Sequence, residues 1–364
     1  MKSLLTGVIL LTATIVYGQD SSSKGSLAIT GSVDAYYRFN FQNAKDSGRT
    51  NNFTSFTNSQ NSFEIGMASL KADYTIGKVE GVIDLGFGRR AEEFSYNDGN
   101  GWTHGTGNGF VTLAAVKQAY VSYSPSSKVK FTMGKWFTHV GYEVPDAYAN
   151  RNYSMDYMFS YGPFSHTGIK MDVTVNKNIA FMVGVSNPTD MVTASFAKKF
   201  AIAQVHFTTT DTKVNAYLNY VGGKDLASNS INQVDAVVTG TVSSKFNVGY
   251  NGTVKFVKPD GGLSNSWWGS ALYLNYDPCT VFGVTVRGEY FDDSKNVAVL
   301  GTNIPGTNIF DLTLSGNIRI SNLTIIPEFR LDAAKDPVFY KNEDTVSPTA
   351  KSTGSFILAA TYHF

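Results

Sequence analysis

The residues best suited to chemistry in this sequence are charged side chains two positions apart, as in Arg287/Glu289 and Glu328/Arg330. In an extended strand each such pair lies on one face, because successive side chains alternate between the two faces. Guanidinium and carboxylate groups on one face can select ions or polar solutes in a narrow pore. They can equally form cross-strand pairs that hold a wall together, and the sequence leaves both interpretations open.

A second concentration of charge lies in the segment 137–164, which carries Glu143, Asp146, Arg151 and Asp156. The segment is too aromatic for a solvated loop, with Tyr at 142, 148, 153, 157 and 161. Long connections with their own packing residues usually have a function. We predict that this loop folds inward and forms a pore constriction with those four charged residues. The alternative is a lid or barrel cap that selects nothing.

Catalytic chemistry finds little support in the motifs. The one local Ser/His pair, Ser165 and His166, would point to opposite faces of a strand. The sequence contains no GxSxG nucleophile elbow and neither HExxH nor CxxC metal spacing. Asp292 and Asp293 fit a solvated turn better than a calcium site, which needs six to eight oxygen ligands. We therefore predict no catalytic residue, no metal, no cofactor and no enzymatic activity.

Composition excludes several classes of protein. Among 364 residues, 42% are apolar, 13% aromatic and only 16% charged, with a net charge of +1. Disordered chains combine low hydrophobicity with high net charge, and nucleic-acid-binding domains are basic. The single cysteine, Cys279, rules out a disulfide scaffold. A lysine followed by a short apolar run, residues 4–16, predicts a signal peptide over residues 1–18, with the mature chain starting near Gln19.

The rest of the chain alternates apolar and polar residues with period two. In residues 27–41, for example, Leu27, Ile29 and Val33 alternate with Thr30, Ser32 and Asp34. The pattern predicts about sixteen strands, near 26–41, 60–75, 77–90, 112–124, 128–136, 165–175, 179–187, 199–209, 213–222, 233–243, 245–257, 267–277, 280–291, 309–320, 322–332 and 354–364. Their connections alternate between short and long, a pattern typical of outer-membrane barrels and unexpected in a soluble sandwich.

We predict an all-β fold: a transmembrane antiparallel β-barrel over residues 19–364, with short periplasmic turns and long extracellular loops. Charges on the lipid face are destabilising, so the polar face must line the lumen. By this parity the pore-lining residues are Asp34, Arg38, Glu80, Asp84, Lys170, Arg287, Glu289, Arg319 and Arg330, together with Asp172, Lys255, Asp311 and Glu328. The final strand ends in Tyr362 and Phe364, which is typical of a barrel-assembly signal.

Five stretches between residues 60 and 190 resemble the beta-barrel porin-2 family of OmpL-like outer-membrane proteins from Bacteroidetes-type bacteria. They are NSFEIGMASLKADY (61–74), GVIDLGFGRRAEEFSYND (81–98), AAVKQAYVSYSP (114–125), GKWFTHVGYEVPDAYANRNYSMDYMFSYGPFSHTGIK (134–170) and GVSNPTD (184–190). The resemblance implies an outer-membrane barrel of porin type. It assigns no substrate and no catalytic residue.

Together these patterns predict passive diffusion of small hydrophilic solutes or ions through a water-filled barrel in the outer membrane of a Gram-negative bacterium. The expected partners are outer-membrane lipid, the barrel assembly machinery during biogenesis and the solutes themselves, with a possible homo-oligomer and no nucleic acid. One alternative is a non-conducting barrel used in adhesion or in a surface complex. An outer-membrane hydrolase is a weaker alternative.

Overall fold

The computed structural model describes residues 24–44, 50–98, 111–300, 304–342, 344 and 346–364. The predicted signal peptide lies outside these residues. Sixteen strands are present: β1 (Ser26–Asn40), β2 (Ser62–Ile76), β3 (Val79–Phe87), β4 (Val116–Ser126), β5 (Val129–Phe137), β6 (Ser165–Asn176), β7 (Ile179–Ser186), β8 (Phe200–Thr208), β9 (Val214–Lys224), β10 (Ser230–Ser243), β11 (Phe246–Lys258), β12 (Asn265–Cys279), β13 (Phe282–Asp292), β14 (Asn308–Ile320), β15 (Leu323–Ala334) and β16 (Ser352–His363).

The strands form one closed barrel in which each pairs with its chain neighbours and β1 pairs with β16. All the pairings are antiparallel, and closure places Ala35 opposite Ala360. Closure leaves no unpaired strand edge, as a structure inside lipid requires. The predicted fold class and strand count are confirmed.

Alternation along each strand separates an outer apolar surface from a polar interior. On β12, Leu272 and Tyr276 face outward and are 46% and 48% exposed, whereas the inward-facing Tyr273 and Asn275 are 1% and 3% exposed. The exposed apolar belt matches the lipid-facing surface of a membrane barrel. Among the described residues, no helix is both long and apolar enough to cross a bilayer.

Two irregularities change which side chains face inward. Between Asp84 and Leu85 the pairing of β3 with β4 skips one residue, Lys117, which is 2% exposed inside the barrel. The pairing of β1 with β2 likewise skips Gly66, where a Cβ atom would overlap the carboxylate of Asp34 unless that side chain moved. Bulges of this kind re-aim side chains and often occur near functional sites.

The connections at one end of the barrel are short turns, and those at the other end are long. The long ones include α1 (Arg89–Phe94) and a 3₁₀ helix (Val111–Ala115) between β3 and β4. We call residues 138–164, between β5 and β6, the inner loop. It contains a 3₁₀ turn (Ala147–Ala149) and α2 (Tyr157–Ser160), and it is packed inside the barrel.

Candidate functional site

The inner loop is held to the wall by carboxylates that each accept two neighbouring backbone N–H groups. Glu328 on β15 accepts from Tyr153 and Ser154 at 2.7 and 3.0 Å. Glu289 on β13 accepts from Tyr157 and Met158 at 2.7 and 2.9 Å. Such charge-assisted bonds are stronger than neutral ones. These pairs of bonds, which we call clamps, fix the loop at two points four residues apart.

A third clamp lies where the loop rejoins the barrel. Asp190, between β7 and β8, accepts the N–H groups of Phe164 and Ser165, both at 2.7 Å. Burial raises the pKa of Asp190 to about 6, although the two N–H donors oppose that shift. The clamp therefore combines good hydrogen-bond geometry with an unfavourable desolvation of the carboxylate.

Two buried arginines connect the clamped loop to the wall. Arg287 donates to Glu143 and to the carbonyl of Ser154, both at 2.7 Å, and pairs with Asp311 at 3.2 Å. Arg330 donates to the carbonyl of Met155 at 2.7 Å and lies 2.6 Å from Asp311. Each guanidinium thus bonds to a wall carboxylate and to the loop backbone, using the several donors that arginine offers.

The loop carboxylates lie inside this interface. Asp156 caps α2 by accepting the N–H of Phe159 at 2.6 Å, and it accepts the hydroxyl of Tyr273 at 2.6 Å. Glu143 accepts the N–H of Asp156 at 2.8 Å. Burial raises the pKa of Glu143, the nearby Asp156 raises it further, and Arg287 opposes both effects. Both carboxylates position the loop backbone.

Arg90 of α1 anchors the opposite side of the loop. It donates to the carbonyls of Pro145 and Tyr153 at 3.2 and 3.3 Å, and its guanidinium lies 5.0 Å from the centre of the Tyr153 ring. The hydroxyl of Tyr153 donates to Asp34 on β1 at 2.5 Å. Through Arg90 and Asp34 the loop also contacts the strands that close the barrel.

The remaining predicted constriction residues form ion pairs near the short-turn end. Asp146 lies 2.6 Å from Lys117, which also pairs with Asp84 at 3.2 Å. Arg151 forms a bidentate ion pair with Asp277, with N···O distances of 2.7 and 2.9 Å. Arg319 contacts the same carboxylate at 2.7 Å. The side chains of Arg151 and Arg319 are 26% and 30% exposed, so both contact water.

The other predicted lumen residues divide by exposure. Arg38 is 2% exposed and donates to the carbonyls of Thr50 and Ser59. Glu80 pairs with Lys130, and Lys170 pairs with Asp172 at 3.0 Å, all with partly exposed side chains. Charge of either sign thus occurs both in the packed interface and on water-contacting wall.

The sequence predicted Arg287, Glu289 and Arg330 as pore-lining residues, and Glu143 and Asp156 as constriction residues. In the structure Arg287, Glu289 and Asp156 are at most 1% exposed, and both arginines bond directly to the loop. The reason is desolvation: a loop pressed onto a charged wall removes water from both, so each charge must have a bonded partner.

Two cavities of about 360 Å³ each adjoin the inner loop. The inner cavity lies near the short-turn end and is lined by Lys71, Asp84, Lys117, Gln118, Asp146 and Tyr148. The outer cavity lies near the long-loop end and is lined by Glu93, Tyr96, Tyr161, Phe164, Asp190 and Lys255. The inner loop contributes residues to the lining of both cavities.

Sequence reasoning missed Lys117, Arg90 and Asp190 as site residues. Strand alternation does not predict the direction of the Lys117 side chain, because this residue lies at a β-bulge. Arg90 and Asp190 lie in the segments between strands, where periodicity assigns no face. The available signal was the family resemblance, since Arg90 lies within 81–98 and Asp190 ends the stretch 184–190.

The family model described as "Putative beta-barrel porin-2, OmpL-like" matches residues 26–364, which is the whole barrel. The chain belongs to this family. It is an outer-membrane β-barrel of porin type, as the sequence predicted. Comparison with curated proteins finds no match.

Solved structures share the porin architecture. The DcaP channel of Acinetobacter baumannii aligns with a TM-score of 0.63 at 12% identity, covering 96% of this chain and 100% of that one. An anion-selective porin from Comamonas acidovorans gives 0.59 at 11%, covering 94% and 100%. The trimer form of OmpT from Vibrio cholerae gives 0.58 at 10%, covering 93% and 99%. At these identities the likeness establishes the fold.

Tyr362 and Phe364 end the barrel of this porin. Both side chains face outward and are 44% and 56% exposed. The backbone of Phe364 pairs with Gly31 through two bonds of 3.0 Å, which completes the seam between the last and first strands. Their role as an assembly signal stays a prediction.

Proposed function

We propose that this porin lets small hydrophilic solutes and ions diffuse passively across the outer membrane, with the inner loop as its constriction. The observation that carries the proposal is the clamped loop with a cavity on either side. A fixed loop of this kind narrows a water-filled barrel without closing its two mouths. Asp146 and Arg151 are the constriction residues that retain contact with the inner, water-facing side.

The test is single-channel conductance of the purified, refolded barrel in a planar bilayer. Asp146→Ala leaves Lys117 with one carboxylate fewer, so ion selectivity should shift toward anions. Arg151→Ala leaves Asp277 with one arginine fewer, so selectivity should shift toward cations. Reversal potentials in a salt gradient measure both shifts, which must have opposite signs.

Lys258→Gln, at the exposed last residue of β11, is the matched control, since it removes one charge outside the barrel interior. Conductance that neither Asp146→Ala nor Arg151→Ala alters more than this control would place the constriction elsewhere. A folded barrel that passes no current would overturn the proposal. It would instead favour a non-conducting barrel in adhesion or a surface complex.

We also propose the barrel assembly machinery and outer-membrane lipid as partners, and a homo-oligomer as the assembled state. The OmpT structure named above is a trimer form, and the apolar belt of this chain offers a surface for subunit contact. Cross-linking in native membranes followed by denaturing electrophoresis tests the oligomer. Bands at the monomer mass alone would contradict it.

A further inference from the structure

The outer cavity contains two carboxylates, and both are occupied by the protein itself. Glu93 accepts the N–H of Phe56 at 2.6 Å and the Nε of Arg89 at 3.2 Å. Asp190 accepts two backbone N–H groups and the hydroxyl of Tyr96, the last at 3.3 Å. Both acids thus accept hydrogen bonds from the protein, and the Glu93 side chain is 30% exposed.

Lys255, the cation of the cavity, has fewer hydrogen-bond partners than the two acids. Among the described residues it donates one hydrogen bond, to the carbonyl of Tyr161 at 3.2 Å, and its ammonium lies 6.0 Å from the centre of the Trp267 ring. An ammonium group has three donors. Within the described part of the chain, two N–H bonds of Lys255 therefore have no hydrogen-bond acceptor.

Gln233, which does not itself line the outer cavity, carries a second donor on the strand next to Lys255. Gln233 on β10 lies directly opposite Lys255 on β11, and the two side chains share the inner face. It is 2% exposed, and its Nε2 has no hydrogen-bond partner among the described residues. A Cβ atom built at Gly162, which lines the outer cavity, would lie 3.5 Å from that Nε2. Buried donors rarely stay unpaired in native proteins.

Two adjacent donors, one of them charged, match the two oxygens of a carboxylate. The cavity wall combines the aromatic side chains of Tyr96, Tyr161 and Phe164 with polar residues such as Ser55, Ser160 and Thr189, and its volume of about 360 Å³ suits a single-ring molecule. We propose that Lys255 and Gln233 form a subsite for the carboxylate of a small aromatic acid on the external side of the inner loop. The proposed subsite rests on the proposed function in one respect: it treats the bound acid as a solute that permeates the barrel.

The test is isothermal titration calorimetry of the refolded porin with phenylacetate and with phenylacetamide, which has the same ring but no charge. The wild type should bind phenylacetate at least about tenfold more tightly than the amide, a difference of about 1.4 kcal/mol. Lys255→Gln should lose that preference. Gln233→Glu should lose it as well, because it places an internal carboxylate opposite Lys255. Lys255→Arg should retain it.

Lys258→Gln is again the control, since it removes the same charge three residues away. Equal affinity for the acid and the amide would overturn the proposal, as would the same loss in Lys258→Gln as in Lys255→Gln. Circular dichroism and heat-dependent gel mobility verify that each variant is folded. Binding needs no conduction, so a barrel that binds phenylacetate but passes no current refutes the porin proposal alone. A barrel that conducts but does not bind refutes this one alone.

Discussion

The inward faces of β13–β15 and of β6–β8 belong to one barrel, but their charged side chains differ in exposure to solvent. On β13–β15, the charged wall, Arg287 and Asp311 are 0% exposed. On β6–β8, the open wall, the Lys170 and Asp172 side chains are 21% and 38% exposed. The difference is the inner loop, which bonds to the first wall through clamps and arginines. Charge on an inner face is therefore bonded within the fold where the loop covers it and contacts water where it does not.

The loop contacts the open wall in another way. Val140 packs with Met182, Phe200 and Ile202 in an apolar cluster. This contact needs no charge, and it involves only the start of the loop. Lys170 and Asp172 lie farther from the long-loop end and keep contact with water. The open wall is thus the side on which charged side chains remain in contact with water.

The largest loss of stability is expected when a buried arginine of the charged wall is removed. Arg287→Met leaves Glu143 without its cation in a water-free interface. We expect the free energy of unfolding to fall by about 3–5 kcal/mol, the usual effect of removing one partner of a buried ion pair. Arg319→Met, on the same wall but 30% exposed, should cost less than about 1 kcal/mol. Guanidinium unfolding followed by tryptophan fluorescence measures both, and equal losses would contradict the distinction.

Removing a clamp should have a somewhat smaller effect on stability and a visible effect on conduction. Glu328→Ala leaves the N–H groups of Tyr153 and Ser154 without their acceptor, at a cost of about 2–4 kcal/mol. With one anchor lost, the loop should move more freely, so single-channel conductance should rise and become noisier. Glu80→Ala, which removes a partly exposed wall carboxylate, should leave the noise unchanged. Quiet currents in Glu328→Ala would mean that the other anchors suffice.

How far the sequence could predict this arrangement depends on the range of the contacts. Period-two alternation identified the strands and the inward parity of Arg287 and Glu328, because both are local properties. Aromatic content identified the loop as a packed segment. The clamps join residues far apart in sequence, such as Tyr153 and Glu328, and no local pattern encodes which wall a loop reaches. The bulge at Lys117 reverses parity, so a periodic rule fails there.

The Asp190 clamp predicts a pH dependence of stability. Burial raises its pKa from an ordinary value near 4 to about 6, so the folded barrel binds this proton more readily than the unfolded chain. The contribution of Asp190 to stability is therefore present below about pH 4 and lost as the pH rises through 6. Asp190→Asn keeps an acceptor for both N–H groups but does not titrate. Relative to wild type, it should gain about 1–3 kcal/mol of stability between pH 4 and 7. A difference that stays flat over this range would show that Asp190 is charged without penalty.

Substitutions on the open wall should have the smallest effect on stability. They test most directly whether exposed and buried charges have different roles. Lys170→Gln and Asp172→Asn each remove one charge that already contacts water, so each should change the free energy of unfolding by less than about 1 kcal/mol. Their effects on ions should be opposite in sign, with selectivity moving toward cations for the first and toward anions for the second, as reversal potentials would show. The double variant restores the balance of charge and should return close to the wild-type value. If either single variant instead destabilises the barrel as much as Arg287→Met, the charges of the open wall also stabilise the fold. Side-chain exposure then does not distinguish charges that hold the loop from charges that contact the solute.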